Sequence, residues 1–488
     1  TLLKKRIYIV LLTLAWLFLS GRLIYTLYFD ESSSGKYISL ASGLRELPSE
    51  SEWMNIYLDG RKMGHTVYSI ENQGEAGYMI KSTTVLNVVF GGLESEINLE
   101  NTSIMDTVFR MEAFNFWMVS DQYSTHIRGK KQGTRMKLEF IQGGDTSHSA
   151  INVPEDLYTY TAIQPMVASK GILEGETIRV PAYDPMSSEM ADVSITHEGK
   201  ELISVGGEKH ILNKLRIDFK GIPSIMWLDD NGITYKEQTI MGMTMERTTP
   251  ELAIAKTQAA EVDLLNGFAI VPNYPISKPL KLRQLVMEIS GISASILEGL
   301  SSKRQIIRST DPLILELNQT ATIVNPAEIQ RNLRASDMIQ SDHDIIRQKT
   351  YEILTGVDEP IARSRALTKW VFNYLEKKPV ASISGAVDIL KTGVGDCTEH
   401  TTLYTALSRA AGIPTKIHIG LVYLQGRFLF HAWPVVAIDG EWVDVDPSLD
   451  QFPADVTHIA LVEGDFENLT DLIPVLGNID IKILEQRY

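Results

Sequence analysis

Short alternating runs of apolar and polar residues dominate the first half of the chain, from about residue 53 to 260. The runs are separated by turn-forming pairs such as Asn231-Gly232, in which both positions tolerate the positive φ of a tight hairpin. Alternation with a period of two is typical of strands that have one buried face. The pattern predicts a large antiparallel β-rich domain over residues 53–260, with an embedded helix near residues 157–170.

The second half of the chain begins with a mixed pattern and then changes to a helical period. Residues 261–335 predict a connecting β-rich segment. From about Ile339, apolar residues recur at spacings of three and four, which predicts helices that start near Ser341 and at Pro360. We therefore expect a separate domain of helices and strands over residues 336–488.

The N-terminus carries a targeting pattern. A basic cluster at residues 4–6 precedes an apolar run over residues 7–29. Such a run is long enough to cross a hydrocarbon core of about 30 Å, and basic residues before it favour a cytoplasmic N-terminus. We predict an uncleaved transmembrane anchor at residues 1–30, a polar linker at residues 31–52 and an exported remainder. A cleaved signal peptide is the alternative.

Composition narrows the fold and function classes. The chain has 488 residues, of which 44% are hydrophobic and 22% charged, enough for several domains with large cores. A formal net charge of -15 argues against a nucleic-acid partner, because surfaces that bind nucleic acids are basic. A single cysteine excludes an intrachain disulfide. The predicted fold class is α+β, with an N-terminal transmembrane helix, a large antiparallel β-rich domain and a C-terminal α+β domain.

The single cysteine, Cys397, lies where a helix is predicted to begin. Gly395 and Asp396 precede it, and an apolar stripe follows on one helix face until Gly412. The partial positive charge of a helix N-terminus favours a thiolate over a thiol, and the free N–H groups there can stabilise an oxyanion. The position therefore suits a cysteine nucleophile, although a buried structural cysteine fits the same composition.

A histidine and a carboxylate follow on two predicted strands. If Asp439-Gly440 forms a two-residue hairpin loop, His431 and Asp446 lie on the same face of the strand pair as diagonal neighbours, within reach of a hydrogen bond. A slip of one residue would place them on opposite faces. A cysteine, a histidine and an aspartate in this order are the nucleophile, base and orienting group of a catalytic triad.

Other residues remain open for these roles. His400 lies one turn after Cys397 and is an alternative base, although it lacks an obvious carboxylate partner. Asp444 shares the face of Asp446 and is an alternative orienting group. His418 is interpreted as an ordinary strand residue. The sequence has no Cys/His spacing typical of a metal site, and we expect neither a metal nor a cofactor.

These motifs resemble those of the transglutaminase-like superfamily, in particular its bacterial membrane-associated members. The resemblance covers roughly residues 341–465 and rests on four blocks taken together. They are GDCTEH at 395–400, ALSRAAGIP at 406–414, HAW at 431–433 and WVDVDPS at 442–448.

The resemblance implies a fold, a site and a location. The fold is a papain-like α+β core with the thiol on a helix and its partners on adjacent strands. Cys397, His431 and Asp446 are the implied catalytic triad. Together with the predicted anchor, the resemblance implies a single-pass protein of the bacterial inner (cytoplasmic) membrane, with the bulk of the chain on the periplasmic side.

The expected function is that of a membrane-anchored, cysteine-dependent amide hydrolase or acyltransferase. It would form a thioester with a peptide or protein substrate. Hydrolysis is favoured over transfer, because water is always present and the sequence shows no amine-binding site. The alternative is a catalytically inactive transglutaminase-like protein that binds or assembles partners at the membrane. A protein partner for the β-rich domain is left open.

Overall fold

The chain folds mainly into β-sheet. The computed structural model describes residues 36–37, 51–255, 269–378, 384–464 and 478–488, apart from short gaps at 59, 91–92, 121–122, 143–144, 186–188, 220–221 and 240–241. The structure is 52% strand and 21% helix. The predicted α+β class is therefore wrong for the chain as a whole. The antiparallel sheet of the first half outweighs the helices, most of which lie between residues 326 and 410.

One sheet of fifteen strands occupies the first half of the described residues. Its strands are β1 Lys36–Tyr37, β2 Ser51–Leu58, β3 Arg61–Asn72, β4 Tyr78–Phe90, β5 Leu93–Met105, β6 Met111–Ser120, β7 Tyr123–Gln132, β8 Arg135–Gln142, β9 Asp145–Asn152, β10 Thr177–Asp184, β11 Glu189–Val205, β12 Glu208–Phe219, β13 Ile222–Leu228, β14 Thr234–Gln238 and β15 Met243–Thr248. The order across the sheet is β1, then β10 to β15, then β2 to β9. Neighbouring strands are antiparallel except for the pair of β1 with β10.

The fifteen-stranded sheet curls around a core of its own. Side chains from distant strands meet inside it, since the rings of Phe114 on β6 and Tyr183 on β10 lie 5.4 Å apart. The predicted embedded helix is present as α1, Ile163–Lys170, and its Ile163 and Met166 are buried in the same core. One face of each long strand therefore supplies the core, as the alternating pattern indicates.

The second half combines short helices with smaller sheets. The helices are α2 Pro250–Ile254, α3 Ala294–Glu298, α4 Pro326–Ile329, α5 Asp344–Leu354, α6 Pro360–Tyr374, α7 Ala386–Thr392 and α8 Cys397–Ala410. The strands are β16 Gln284–Ser290, β17 Gln305–Thr310, β18 Leu313–Asn318, β19 Thr322–Ile323, β20 Glu376–Lys377, β21 Val394–Gly395, β22 Thr415–Leu424, β23 Arg427–Ile438, β24 Glu441–Asp444, β25 Ile459–Glu463 and β26 Asp480–Arg487. They form sheets in the orders β17-β18-β16-β26 and β19-β24-β23-β22-β25, with β20 and β21 as a separate parallel pair.

The predicted start of α6 agrees with the structure, whereas the predicted start of α5 is too early. Helix α6 begins at Pro360 as predicted. Helix α5 begins at Asp344, later than Ser341 suggests, because the ring of His343 accepts the hydrogen bond from the Ile345 N–H at 3.2 Å and caps the helix.

One hydrophobic core joins parts of the second half that are far apart in sequence. Strand β16 pairs with β18 and also with the C-terminal β26. Leu285 of β16 belongs to the same buried cluster as Leu403 of α8. The segment predicted as a connection, residues 261–335, thus supplies strands to the core that the helices share. The predicted domain boundaries stay predictions.

The predicted membrane anchor is not supported by any helix in the described part of the chain. Residues 1–30 lie outside the described residues. Within the described part of the chain, no helix is both long and apolar enough to cross a membrane. The longest helix there, α6, has 15 residues, roughly 22 Å, which is short of a hydrocarbon core of about 30 Å. The prediction of a single-pass inner-membrane protein with a periplasmic bulk is therefore corrected.

Candidate active site

Cys397 is the first residue of α8, and the residues around it favour the start of a helix at this position. The side chain of Asp396 accepts a hydrogen bond from the Thr398 N–H at 2.9 Å, and the Glu399 side chain accepts one from the Asp396 N–H at 3.0 Å. This reciprocal capping box satisfies N–H groups that a helix start otherwise leaves free. Gly395 is needed beside it, since an added Cβ would lie 2.2 Å from the Cβ of Glu399. Cys397 is partly buried at this helix start.

The hairpin that carries the other two predicted residues has the predicted register. Asp439 and Gly440 have φ values of 51° and 83°, which suit a two-residue loop. Ile438 lies opposite Glu441, and the ladder between β23 and β24 continues to Asp444. The sequence-based pairing of these strands is therefore confirmed.

His431 and Asp446 are in direct contact. His431 Nε2 lies 2.7 Å from Asp446 Oδ2, and both side chains are buried. Asp446 has left the β23–β24 ladder, because its N–H donates to the Gln451 carbonyl at 2.9 Å. The Cys397 side chain lies close enough to His431 for its charge and a hydrogen bond to raise the pKa of the ring. Since Asp446 occupies Nε2, Nδ1 is the ring atom left for the sulfur. The structure brings the three predicted residues together.

Charge on its partners favours a protonated His431. Burial alone would lower the pKa of His431, but the charges of Asp446 and Cys397 and the hydrogen bonds to both raise it to about 10. An imidazolium beside the sulfur stabilises a thiolate. The His431 ring is therefore protonated at neutral pH, with the Cys397 side chain beside it.

Both carboxylate oxygens of Asp446 accept hydrogen bonds. Oδ1 accepts from the Ser448 N–H (2.8 Å), the Ser448 hydroxyl (2.7 Å) and the Leu449 N–H (3.1 Å). Oδ2 accepts from His431 and from His458 Nε2, which lies at 3.1 Å. Burial opposes the charged form, but the two histidines outweigh it and hold the pKa of Asp446 well below its ordinary value. Asp446 is therefore a fixed, buried carboxylate.

The two other histidines considered have different partners. His400 is buried, and its Nδ1 donates to the Asp396 carbonyl at 2.6 Å. Burial lowers the pKa of His400, which keeps the ring neutral. His418 lies 3.7 Å from Asp444 and 3.4 Å from Glu463. The geometry therefore favours His431 over His400 as the partner of the thiol.

Asp444, the alternative orienting group, is hydrogen-bonded to a tryptophan instead of to His431. It accepts a hydrogen bond from Trp433 Nε1 at 2.8 Å and pairs with Arg304 at 3.1 Å. The Trp433 ring is stacked near His431, with 6.2 Å between ring centroids, and meets His458 edge-on at 5.0 Å. Asp444 thus holds a ring that packs beside two histidines of the site.

Sequence reasoning missed His458 and its partner Asp455. His458 is fully buried just before β25, and its Nδ1 lies 3.1 Å from the Asp455 carbonyl. A usable signal was present, because an aspartate and a histidine three residues apart interrupt a mostly apolar segment over residues 452–462. Charged side chains are rarely buried unless they are paired.

Three of these residues could in principle bind a metal. His431, Asp446 and His458 each place one ligand atom within 4.8 Å of the others. The histidine nitrogens lie 2.7 and 3.1 Å from the shared Asp446 oxygen, which are hydrogen-bond distances. Protons on the two rings account for both contacts, so we assign the three residues to a hydrogen-bonded network. The expected absence of a metal and a cofactor stays a prediction.

Comparison with known families agrees with this site. A family model described as the Transglutaminase-like superfamily matches residues 347–447. The matched segment contains Cys397, His431 and Asp446. Residues 347–447 are therefore similar to a transglutaminase-like domain, and the match is confined to this part of the chain.

Individual relatives are distant or partial. An uncharacterized protein of Haemophilus influenzae is 30% identical over 112 residues, and the match covers 21% of this chain but only 30% of that protein. A candidate cysteine protease from Cytophaga hutchinsonii aligns with a TM-score of 0.28 and 16% identity, over 42% of this chain and 86% of its own. A β-barrel-like protein of a domain of unknown function from Brucella abortus aligns with a TM-score of 0.34 and 12% identity, over 42% of this chain and 98% of its own.

A tyrosine from the fifteen-stranded sheet reaches the segment that leads to Cys397. The Tyr123 hydroxyl hydrogen-bonds to the Thr392 hydroxyl at 2.8 Å and to the Val394 carbonyl. Burial raises the pKa of Tyr123 to about 12, so the hydroxyl keeps its proton. The large sheet therefore holds the chain three residues before the cysteine.

We expect Tyr123→Phe to slow alkylation of Cys397 by up to about tenfold, because a small displacement of a reacting group is costly. Loss of the hydroxyl should also lower the free energy of unfolding by about 1 kcal/mol. Alkylation rates and thermal unfolding of the whole chain measure the two effects.

Tyr160→Phe is the matched control for Tyr123→Phe. The Tyr160 hydroxyl also makes two hydrogen bonds, to Ser224 and Glu237, but both lie within the first half of the chain. It should lower stability without changing the alkylation rate. Equal alkylation rates in the two variants would show that Tyr123 does not position the cysteine.

Proposed function

We propose that the protein is a cysteine-dependent hydrolase or acyltransferase of peptide or protein amides. The observation that carries the proposal is the chain of contacts from Cys397 to His431 to Asp446 within a transglutaminase-like domain. A thiol, an imidazole and a carboxylate in mutual contact form the arrangement that activates a cysteine nucleophile.

The first half of the reaction acylates the cysteine. The Cys397 thiolate attacks the amide carbonyl carbon, and a carbon–sulfur bond forms as the carbonyl oxygen becomes an oxyanion. The intermediate collapses, the carbon–nitrogen bond breaks, and His431 gives the departing amine its proton. General acid–base catalysis of this kind contributes typically 10²–10⁴-fold. Asp446 keeps a proton on Nε2 of His431 and so directs Nδ1 toward the sulfur.

The second half returns the free enzyme. Water or a primary amine gives a proton to His431 and attacks the thioester carbonyl, and the Cys397 thiolate leaves. Attack by water yields an acid, and attack by an amine yields a new amide. We favour hydrolysis because water is always present.

The start of α8 suits the oxyanion that forms in both halves. The capping interaction engages the Thr398 N–H, while no described residue accepts a hydrogen bond from the N–H of Cys397 itself. A backbone N–H at a helix N-terminus is a good donor to developing negative charge. Because Cys397 is only partly buried, a substrate carbonyl can approach it.

The proposal is tested by incubating the full chain with a mixture of protein-derived peptides and a fluorescent primary amine. Mass spectrometry then separates three products, namely backbone cleavage, deamidation of side-chain amides and amine incorporation. Cys397→Ala serves as the control. Product that forms with the wild type and not with Cys397→Ala supports the proposal and identifies the reaction. Identical product patterns for the two proteins would point to the catalytically inactive alternative.

A further inference from the structure

We propose that His458 is a positioning residue that holds Asp446, and through it His431, in the geometry that activates Cys397. This inference rests on the proposed function, because it assigns a fourth residue to the same site. His458 acts through the carboxylate that it shares with His431.

Both ring nitrogens of His458 face acceptors. Nε2 lies 3.1 Å from Asp446 Oδ2, while Nδ1 lies 3.1 Å from the Asp455 carbonyl and 3.4 Å from Asp455 Oδ1. An imidazole can donate at both nitrogens only when it is protonated. The geometry therefore calls for an imidazolium, although the ring is fully buried.

The surroundings of His458 can hold that charge. Two carboxylates face the ring, and Asp455 is itself fixed by the Thr457 N–H (2.9 Å) and hydroxyl (2.6 Å). Two cationic groups are also close, namely the His431 ring at 5.8 Å and Arg304, which donates to the Asp455 carbonyl at 2.7 Å and is itself paired with Asp444 at 3.1 Å. Burial lowers the pKa of His458, but the two aspartates outweigh it and raise the pKa to about 9.

The buried charges alternate along the network. The His431 imidazolium is followed by the Asp446 carboxylate, the His458 imidazolium and the Asp455 carboxylate. An isolated buried carboxylate is costly and tends to take up a proton. The His458 cation therefore helps to keep Asp446 ionised. A neutral Asp446 would no longer stabilise the His431 imidazolium, and the thiolate would lose its partner.

Two substitutions separate the charge of His458 from its shape. His458→Gln can keep a neutral N–H donor toward Asp446, whereas His458→Phe keeps the ring shape and removes both donor and charge. We expect the pH midpoint of Cys397 alkylation to rise toward that of an ordinary thiol, about 8.5, more in the phenylalanine variant than in the glutamine variant. Alkylation at pH 7 should slow by about tenfold or more in the phenylalanine variant, because a thiol with an ordinary pKa of about 8.5 is only a few per cent ionised at pH 7.

The readout separates positioning from stability. A purely structural residue would lower the folded fraction or the thermal midpoint, but it would not move the pH midpoint of the folded protein. Folded variants that keep the wild-type midpoint would overturn the inference. Alkylation needs no substrate, so a wild type without amide turnover would refute the proposed function and leave the test of His458 intact.

A measurement on the wild type covers the case in which neither variant folds. Nitrogen-15 histidine labelling should show both nitrogens of His458 protonated at pH 7. The rings of His418, His431 and His458 lie 5.8, 6.2 and 5.0 Å from the Trp433 ring, so the His458 resonance is the one of these three that persists in both His418→Ala and His431→Ala. A neutral His458 at pH 7 would contradict the inference.

Discussion

We expect the replacement of Cys397 with serine to lower the proposed amide turnover by about 10³-fold or more. Serine has nearly the same shape, but its hydroxyl does not ionise beside a histidine as a thiol does, so the nucleophile is lost while the fold is kept. Because Cys397 is the single cysteine, the variant also abolishes all labelling by thiol reagents. Product formation on the peptide mixture, followed by mass spectrometry, measures the effect.

The control for Cys397→Ser is the stability of the variant itself. The side chain is only partly buried, and the capping box around it uses Asp396 and Glu399 rather than the sulfur. The thermal midpoint should therefore stay close to that of the wild type. Turnover that persists in a folded Cys397→Ser protein would exclude Cys397 as the nucleophile.

Asp446→Asn is expected to lower turnover by about 10²–10⁴-fold. Oδ1 faces three donors and Oδ2 faces two, so an asparagine amide must place its NH₂ group against N–H donors on one side. If the amide oxygen stays with Ser448 and Leu449, the NH₂ faces His431. The proton of His431 then moves to Nδ1. Nδ1 therefore faces the thiol as a donor and can no longer accept the proton of Cys397.

The pH profile of Asp446→Asn gives a second readout. His431 acts as general acid only below its pKa, which is raised to about 10 in part by the Asp446 charge. The wild type should therefore lose turnover as pH rises through about 10, and the variant at lower pH. Asp450→Asn is the matched control, because this carboxylate is in the same loop but pairs with the exposed Lys369. Similar losses in both variants would show that Asp446 does not orient the histidine.

Local patterns predicted the backbone around the candidate site, because they depend on short-range geometry. The pair Asp439-Gly440 set the register of β23 and β24. The residues around Cys397 placed the start of α8 within a residue. Both features depend on backbone conformation within a few residues, which local sequence encodes strongly.

Features that depend on distant contacts were not predictable from the same patterns. Asp446 lies in a tight turn rather than in the β23–β24 ladder, because its N–H donates to the Gln451 carbonyl, and it contacts His431 from that turn. His458 belongs to the network only because β25 pairs with β22. The pairing of β16 with the C-terminal β26 joins residues nearly two hundred positions apart. No periodicity within one segment contains such information.

The fold class failed for a different reason. Each alternating run of the first half was visible, but the number of strands that would join a single sheet was not. Fifteen strands in one sheet make the chain predominantly β, even though the second half contains the helices that the sequence indicates.

The pH dependence of Cys397 alkylation, measured in the wild type and in His431→Ala, tests the central claim most directly. His148→Ala, which removes an exposed histidine of β9, is the control. A thiolate–imidazolium pair predicts a rate that is nearly constant from about pH 6 to pH 9 in the wild type and the control. In His431→Ala the rate should instead rise around the ionisation of an ordinary thiol, at about 8.5. A wild-type profile that coincides with that of His431→Ala would contradict the claim that His431 activates Cys397.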